Sequence, residues 1–194
     1  MGESCKPDLK KERRNVVLTG LGRSGTTLVC HLLNKLADAL ALSEPISPGK
    51  FAELAPDQEA VADGIERFYR RMRGLAKRRG LVLSKHVGGV VPDNSKGQVG
   101  DVRRRIAEKG KISVDKDLPA GFQLIIKQLS MFTTLLPALV RGFPSYAIVR
   151  NPLPILSSTD GLLEHRARDM SPPSGTIPYC EAACPTPRIP WAGT

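Results

Sequence analysis

Aromatic residues are scarce in this chain. Phe, Trp and Tyr make up 5% of its 194 residues, which leaves little stacking surface for single-stranded nucleic acid. Long apolar runs are missing as well. No stretch approaches the roughly 20 residues of a membrane span. The basic segment from Lys6 to Arg14 is followed only by Val16, Val17 and Leu18, too short for a secretory signal core. Cysteine is sparse and unpatterned. Of Cys5, Cys30, Cys180 and Cys184, only the last two lie close together, and no second cysteine or histidine pair completes a zinc site. They read as reduced thiols, and a cytoplasmic setting is expected. Acidic residues are outnumbered, 19 against 29 Lys and Arg, for a net charge of +10. Such an excess suits a phosphate-bearing or polyanionic partner, although a merely solvated basic face produces the same number.

What remains is ordinary globular composition, 41% hydrophobic and 25% charged. The length suits one domain with a real core. Asn15 to Thr19 is a short β-branched apolar run, hence a buried strand. Leu28, His31, Leu32, Lys35 and Leu36 trace one mostly apolar side of a helix. Ala39 to Ser43 reads as a strand halted by Glu44-Pro45. Val61, Ile65, Phe68, Met72 and Leu75 give an amphipathic helix over 57–79, rich in arginine on its other faces. Leu81 to Leu83 and Phe122 to Ile126 are further strand candidates. Residues 88–111 read as a long charged loop with a short helix near Val102–Glu108. Met131 to Val140 suits a helix broken or kinked at Pro137. Tyr146 to Val149 is a strand, and Pro154 opens a helix to about His165. Strands alternating with helices imply an α/β fold of three layers around a mainly parallel sheet.

The strongest motif is Gly20-Leu-Gly-Arg-Ser-Gly-Thr-Thr27, set between a strand and a helix. Its glycines let the backbone turn tightly, and the helix start offers unpaired N–H groups and the positive dipole end, so an anion site is expected. The loop is P-loop-NTPase-like without being a Walker A loop. Gly20, Gly25 and Thr27 fit that spacing, but Thr26 stands where lysine should be, and Arg23 is the cation within the loop. A second motif follows: a strand delivers Arg150 to the loop Asn151-Pro152, and Ser158 lies eight residues beyond the arginine. The guanidinium is a planar fork suited to phosphate oxygens.

These two segments resemble the sulfotransferases that use PAPS (3′-phosphoadenosine-5′-phosphosulfate). Gly22, Arg23, Ser24, Gly25, Thr26 and Thr27 look like the family's 5′-phosphosulfate loop, and Arg150 with Ser158 looks like its 3′-phosphate motif. The resemblance implies sulfuryl transfer to a hydroxyl or amine on a small-molecule or glycan acceptor. It implies PAPS as cofactor, PAP (adenosine 3′,5′-bisphosphate) as product and no metal; from the composition, no specific nucleic acid and no membrane span are expected. Arg23 would offset charge on the bridging oxygen. Glu44, just after the second strand, matches the region where some relatives carry a glutamate base. His86 is the rival base, His31 reads as structural, and Lys127 either faces the cofactor edge of the sheet or is a plain solvated lysine.

The expected organisation is a basic arm over 1–14, a nucleotide-binding domain over 15–168 and a Pro-rich tail over 169–194. The family's closing Gly- and Lys-containing segment is not found, so an incomplete C-terminal part with impaired activity is expected. Two other functions stay open: an atypical P-loop kinase or NTPase, and a non-catalytic basic anion-binding module that uses the arginines of 67–79 and 103–105.

Overall fold

A computed structural model describes residues 14–54, 57–99 and 102–156. The N-terminal arm through residue 13, the helix expected beyond residue 156, Ser158, and the tail with Cys180 and Cys184 lie outside the described residues.

The architecture is α/β around a parallel four-stranded sheet. Its strands are β1 (Asn15–Gly20), β2 (Ala39–Ser43), β7 (Gln123–Lys127) and β8 (Ser145–Ile148), in the spatial order β2-β7-β1-β8. Each neighbouring pair is parallel. Consecutive residues Val17 and Leu18, and likewise Leu40 to Leu42 and Leu124 to Ile126, are all buried. Neighbouring residues in a strand point to opposite faces, so both faces of the sheet's centre are covered, as three layers require.

Helix α1 (Thr26–Leu33) follows β1 and packs on β1, β2 and β7. Thr26 and Cys30 are buried, with Val29 and Leu33 packed against the core, a spacing of one helical face. The apolar side read from Leu28, Leu32 and Leu36 turns outward instead, each about half exposed. Lys116 holds the far end of this helix by donating to the carbonyls of Asn34, Leu36 and Ala39.

Helix α2 (Gln58–Arg79) begins at Asp57, whose carboxylate accepts from the N–H groups of Glu59 and Ala60, and ends at Gly80 in the left-handed conformation. Its Tyr69 is fully buried and donates to Val16 O at 2.6 Å. Arg73 donates to Phe122 O and Asn15 Oδ1 and lies over the Phe122 ring. Proline does break the helix expected over 131–140. It gives α3 (Ser130–Thr134) and α4 (Leu136–Gly142), with Pro137 in the first turn of α4, where no N–H is required.

Residues 88–111 differ from expectation. In place of a loop with a helix near Val102–Glu108, β4 (Lys96–Val99) and β5 (Val102–Arg105) form a hairpin, and β6 (Glu108–Ser113) pairs antiparallel with β3 (Leu81–His86). Val82 and Ile112 lie opposite each other and are buried, while Lys85 lies opposite Lys109. Gly110 sits in β6 because the His86 ring lies over it. A Cβ there would come within 2.6 Å of Nε2.

Candidate functional site

Because the four sheet strands are parallel, their C-terminal ends share one edge. Register sets Leu18 and Ser43 beside Lys127, and Gly20 beside Ile148. The chain leaves β1 toward β2 and leaves β7 toward β8, in opposite directions across the sheet. Loops that diverge in this way open a crevice where α/β proteins bind ligands.

The loop after β1 is shaped by backbone more than by side chains. Gly20 has φ 147°, and a Cβ on it would meet Ile148 O at 2.6 Å, so only glycine lets the loop cross so close to β8. Arg23 takes φ 68°, a conformation that costs a non-glycine residue about 1–2 kcal/mol. Ser24 is buried, and its hydroxyl donates to Leu21 O at 2.7 Å, closing the loop on itself. Gly25 stands at the N-cap of α1 with φ 95°. No side chain caps the helix, and no acidic residue sits in its first turn. Thr26 is buried, and the cap position is left to the Gly25 backbone. The result is a helix start whose positive end is met by neither a side-chain cap nor an acidic residue in its first turn.

Arg150, just past β8, donates from Nη1 to Arg23 O at 3.3 Å. The two sequence motifs, 127 residues apart, therefore meet at the strained residue of the loop.

Glu44 follows β2 directly. Its backbone also takes a positive φ, 44°, and its N–H donates to Lys127 O at 2.7 Å. Its carboxylate is held on both sides. Lys127, with a side chain only 2% exposed, donates to Oε1 at 2.5 Å, and Lys85 from β3 donates to Oε2. Lys85 arrives there because the buried Ser84 hydroxyl accepts from Ser43 N–H, which ties β3 to β2. Burial pushes the Glu44 carboxyl up, but the Lys127 and Lys85 ammonium groups outweigh it and hold it below the usual carboxylate range. Lys127 Nζ is also 3.4 Å from Thr27 Oγ1, so one buried ammonium lies between the carboxylate and the loop. Behind them Cys30 is fully buried, and burial pushes its thiol up to about 12.

The structure thus brings together Gly22 to Thr27, Glu44, Lys127 and Arg150; Ser158 lies outside the described residues. His86 is engaged within its own ribbon, accepting from Gly89 N–H at 3.2 Å and lying 3.7 Å from Glu108. Strand alternation turns it to the ribbon face opposite Lys85. His31 Nδ1 donates to Val91 O at 2.8 Å, a structural tie. Sequence reasoning missed Lys85. Its neighbour His86 drew attention, and nothing local marks which residue of Ser84-Lys85-His86 meets Glu44. Lys127 did carry a signal, since a lysine closing the apolar run Leu124 to Ile126 must be paired if it stays buried. Among the described residues no cluster of side chains could hold a metal ion, and no helix is long and apolar enough to cross a membrane. Comparison of the chain with protein-family models, with curated proteins and with solved structures gave no match.

Proposed function

We propose that this chain is a PAPS-dependent sulfotransferase acting on a hydroxyl or amine acceptor, with Glu44 as the base. The observation that carries the reading is the meeting, at one sheet edge, of a helix start without a side-chain cap, a buried lysine and an ionised carboxylate. The residues fit an anionic nucleotide. Backbone N–H groups at Gly25 to Thr27, with Arg23, would hold the 5′ oxygens, and Arg150, with Ser158 by resemblance, would hold the 3′-phosphate. PAPS supplies the transferable group when bound: the acceptor oxygen or nitrogen bonds to sulfur, the bond from sulfur to the 5′-phosphate oxygen breaks, its electron pair stays on the phosphate, and PAP is the product.

The chain's own part is charge and proton handling. Glu44 is ionised at neutral pH but weakly basic while both lysines grip it. Lys127 already lies within 3.4 Å of Thr27 Oγ1. Turning its ammonium toward an anion on the loop frees one Glu44 oxygen and raises that oxygen's basicity. The freed oxygen then takes the proton released by the acceptor.

One observation favours a second reading, a P-loop kinase or NTPase of unusual sequence. Lys127 brings to the loop the cation that Thr26 does not supply. Glu44→Gln separates base chemistry from binding. PAP affinity should persist while sulfuryl transfer from PAPS falls by roughly 10²–10⁴-fold, the usual worth of a positioned base. Normal turnover in a folded Glu44→Gln protein would remove Glu44 from the chemistry.

A further inference from the structure

On the Oε2 side of Glu44, away from Thr27, lysines accumulate. Lys85 and Lys109 stand directly opposite each other across the β3–β6 ribbon, and Lys111, opposite Leu83, shares that ribbon face. Like charges opposed in this way destabilise a strand pair. Lys109 reaches past the ribbon, and its Nζ donates to Ser47 Oγ at 2.9 Å in the turn after Glu44. Its ammonium is held below the usual lysine range, first by burial and then by Lys85 and Lys50, with Glu44 opposing. Lys109 therefore has Lys85 and Lys50 as like-charged neighbours, and its opposite charge, Glu44, is already shared between Lys85 and Lys127. Gln128, just past β7, reaches the same turn and carries an unmet polar atom. Gln128 is 7% exposed and donates from Nε2 to Ile46 O at 3.4 Å, and its Oε1, sealed from solvent, has no partner among the described residues.

We infer that the acceptor is itself anionic: a hydroxyl-bearing molecule with a carboxylate or sulfate-ester group close to that hydroxyl, the anionic group being held by Lys50 and Lys109. The word acceptor rests on the sulfotransferase reading; the anion site does not. Its position follows from the order of groups. Thr27 and Lys127 mark the loop end, Glu44 stands between, and Lys85, Lys109 and Ser47 mark the far end. A molecule anchored by its charge at the far end would present a neighbouring hydroxyl to Glu44. Binding there would also offset the lysine repulsion across the ribbon, so the free site is poised for an anion.

The test uses inorganic sulfate as probe, titrated at constant ionic strength into PAP-saturated protein and followed by amide NMR shifts. Saturable shifts at Ser47 and Lys109 are expected. Lys50→Gln/Lys109→Gln should weaken them roughly tenfold or more. Arg71→Gln, which removes an equal charge from an exposed site on α2, should leave them unchanged. Acetate in a parallel titration separates a carboxylate preference from a sulfate one. Linear, non-saturating shifts with both anions, or equal affinity in the Lys50/Lys109 variant, would overturn the inference. If PAP fails to bind, the nucleotide reading falls by itself. The same titration on unliganded protein then decides the anion site, because amides at Ser47 and Lys109 are read separately from those of the phosphate loop.

Discussion

Replacing Lys127 with methionine removes an ammonium whose side chain is 2% exposed while keeping a side chain of similar length. Two terms oppose each other. The cost of burying the ammonium is relieved, and its pairing with Glu44 is lost. Breaking a buried pair costs about 3–5 kcal/mol when it strands a charge. Glu44 is not stranded here, since its side chain is 20% exposed and Lys85 still holds Oε2. The net loss should therefore be about 1–2 kcal/mol, or roughly 2–8 °C in Tm for a domain of this size. The pH dependence gives a sharper signature. Burial raises the Glu44 carboxyl and the two lysines lower it further, so its folded value lies below its unfolded one. Such a group adds stability above the unfolded carboxylate pKa of about 4.3, and that stability is lost as pH falls through the folded value. Lys127→Met removes the larger downward pull. Its Tm deficit against wild type should therefore be widest near neutral pH and should narrow below roughly pH 4. Thermal unfolding by circular dichroism across this range, with Glu44→Gln and the double variant, also yields a coupling energy, expected at about 1–3 kcal/mol. Additive single variants with a pH-independent deficit would refute the clamp.

Gly20→Ala should destabilise by about 2 kcal/mol or more and disrupt nucleotide binding, since its Cβ would lie 2.6 Å from Ile148 O at a backbone φ of 147°; denaturant unfolding reads the loss. Cys30 should resist alkylation by iodoacetamide at pH 8 until the protein unfolds, because its thiol is fully buried and its pKa is pushed up to about 12; peptide mapping by mass spectrometry follows that one residue.

Much of the sheet was readable in advance for a physical reason. Val16 to Leu18, Ala39 to Leu42 and Leu124 to Ile126 are buried on both faces, so burial shows as an unbroken apolar run. The β3–β6 ribbon gives no such run. Glu108 to Ser113 includes Gly110 and two lysines, and its strand character comes from pairing with β3 and from the single inward side chain of Ile112. Helix α1 misleads in the opposite sense. Leu28 and Leu32 look like its core side, yet the smaller Thr26 and Cys30 face the sheet, where a helix starting directly from a tight glycine loop lies close to its strands. The convergence of the glycine loop, Arg150 and Glu44 was legible because each sits at a strand end, and in a parallel sheet strand ends converge. Lys85, Lys109 and Ser47 were not, because their meeting depends on the register between β3 and β6 and on the bond from Ser43 to Ser84.

Calorimetric titration of the full chain with PAP, AMP and ATP tests the central claim most directly, because the three ligands differ only in their phosphates. PAP should bind roughly tenfold or more tighter than AMP, the worth of one or two charged hydrogen bonds from the 3′-phosphate to the protein. Arg150→Ala should erase most of that gap, and added Mg²⁺ should not favour ATP. Equal affinity for PAP and AMP would contradict the 3′-phosphate site and with it the sulfotransferase reading, and tighter binding of Mg²⁺–ATP than of PAP would turn the loop over to phosphoryl transfer.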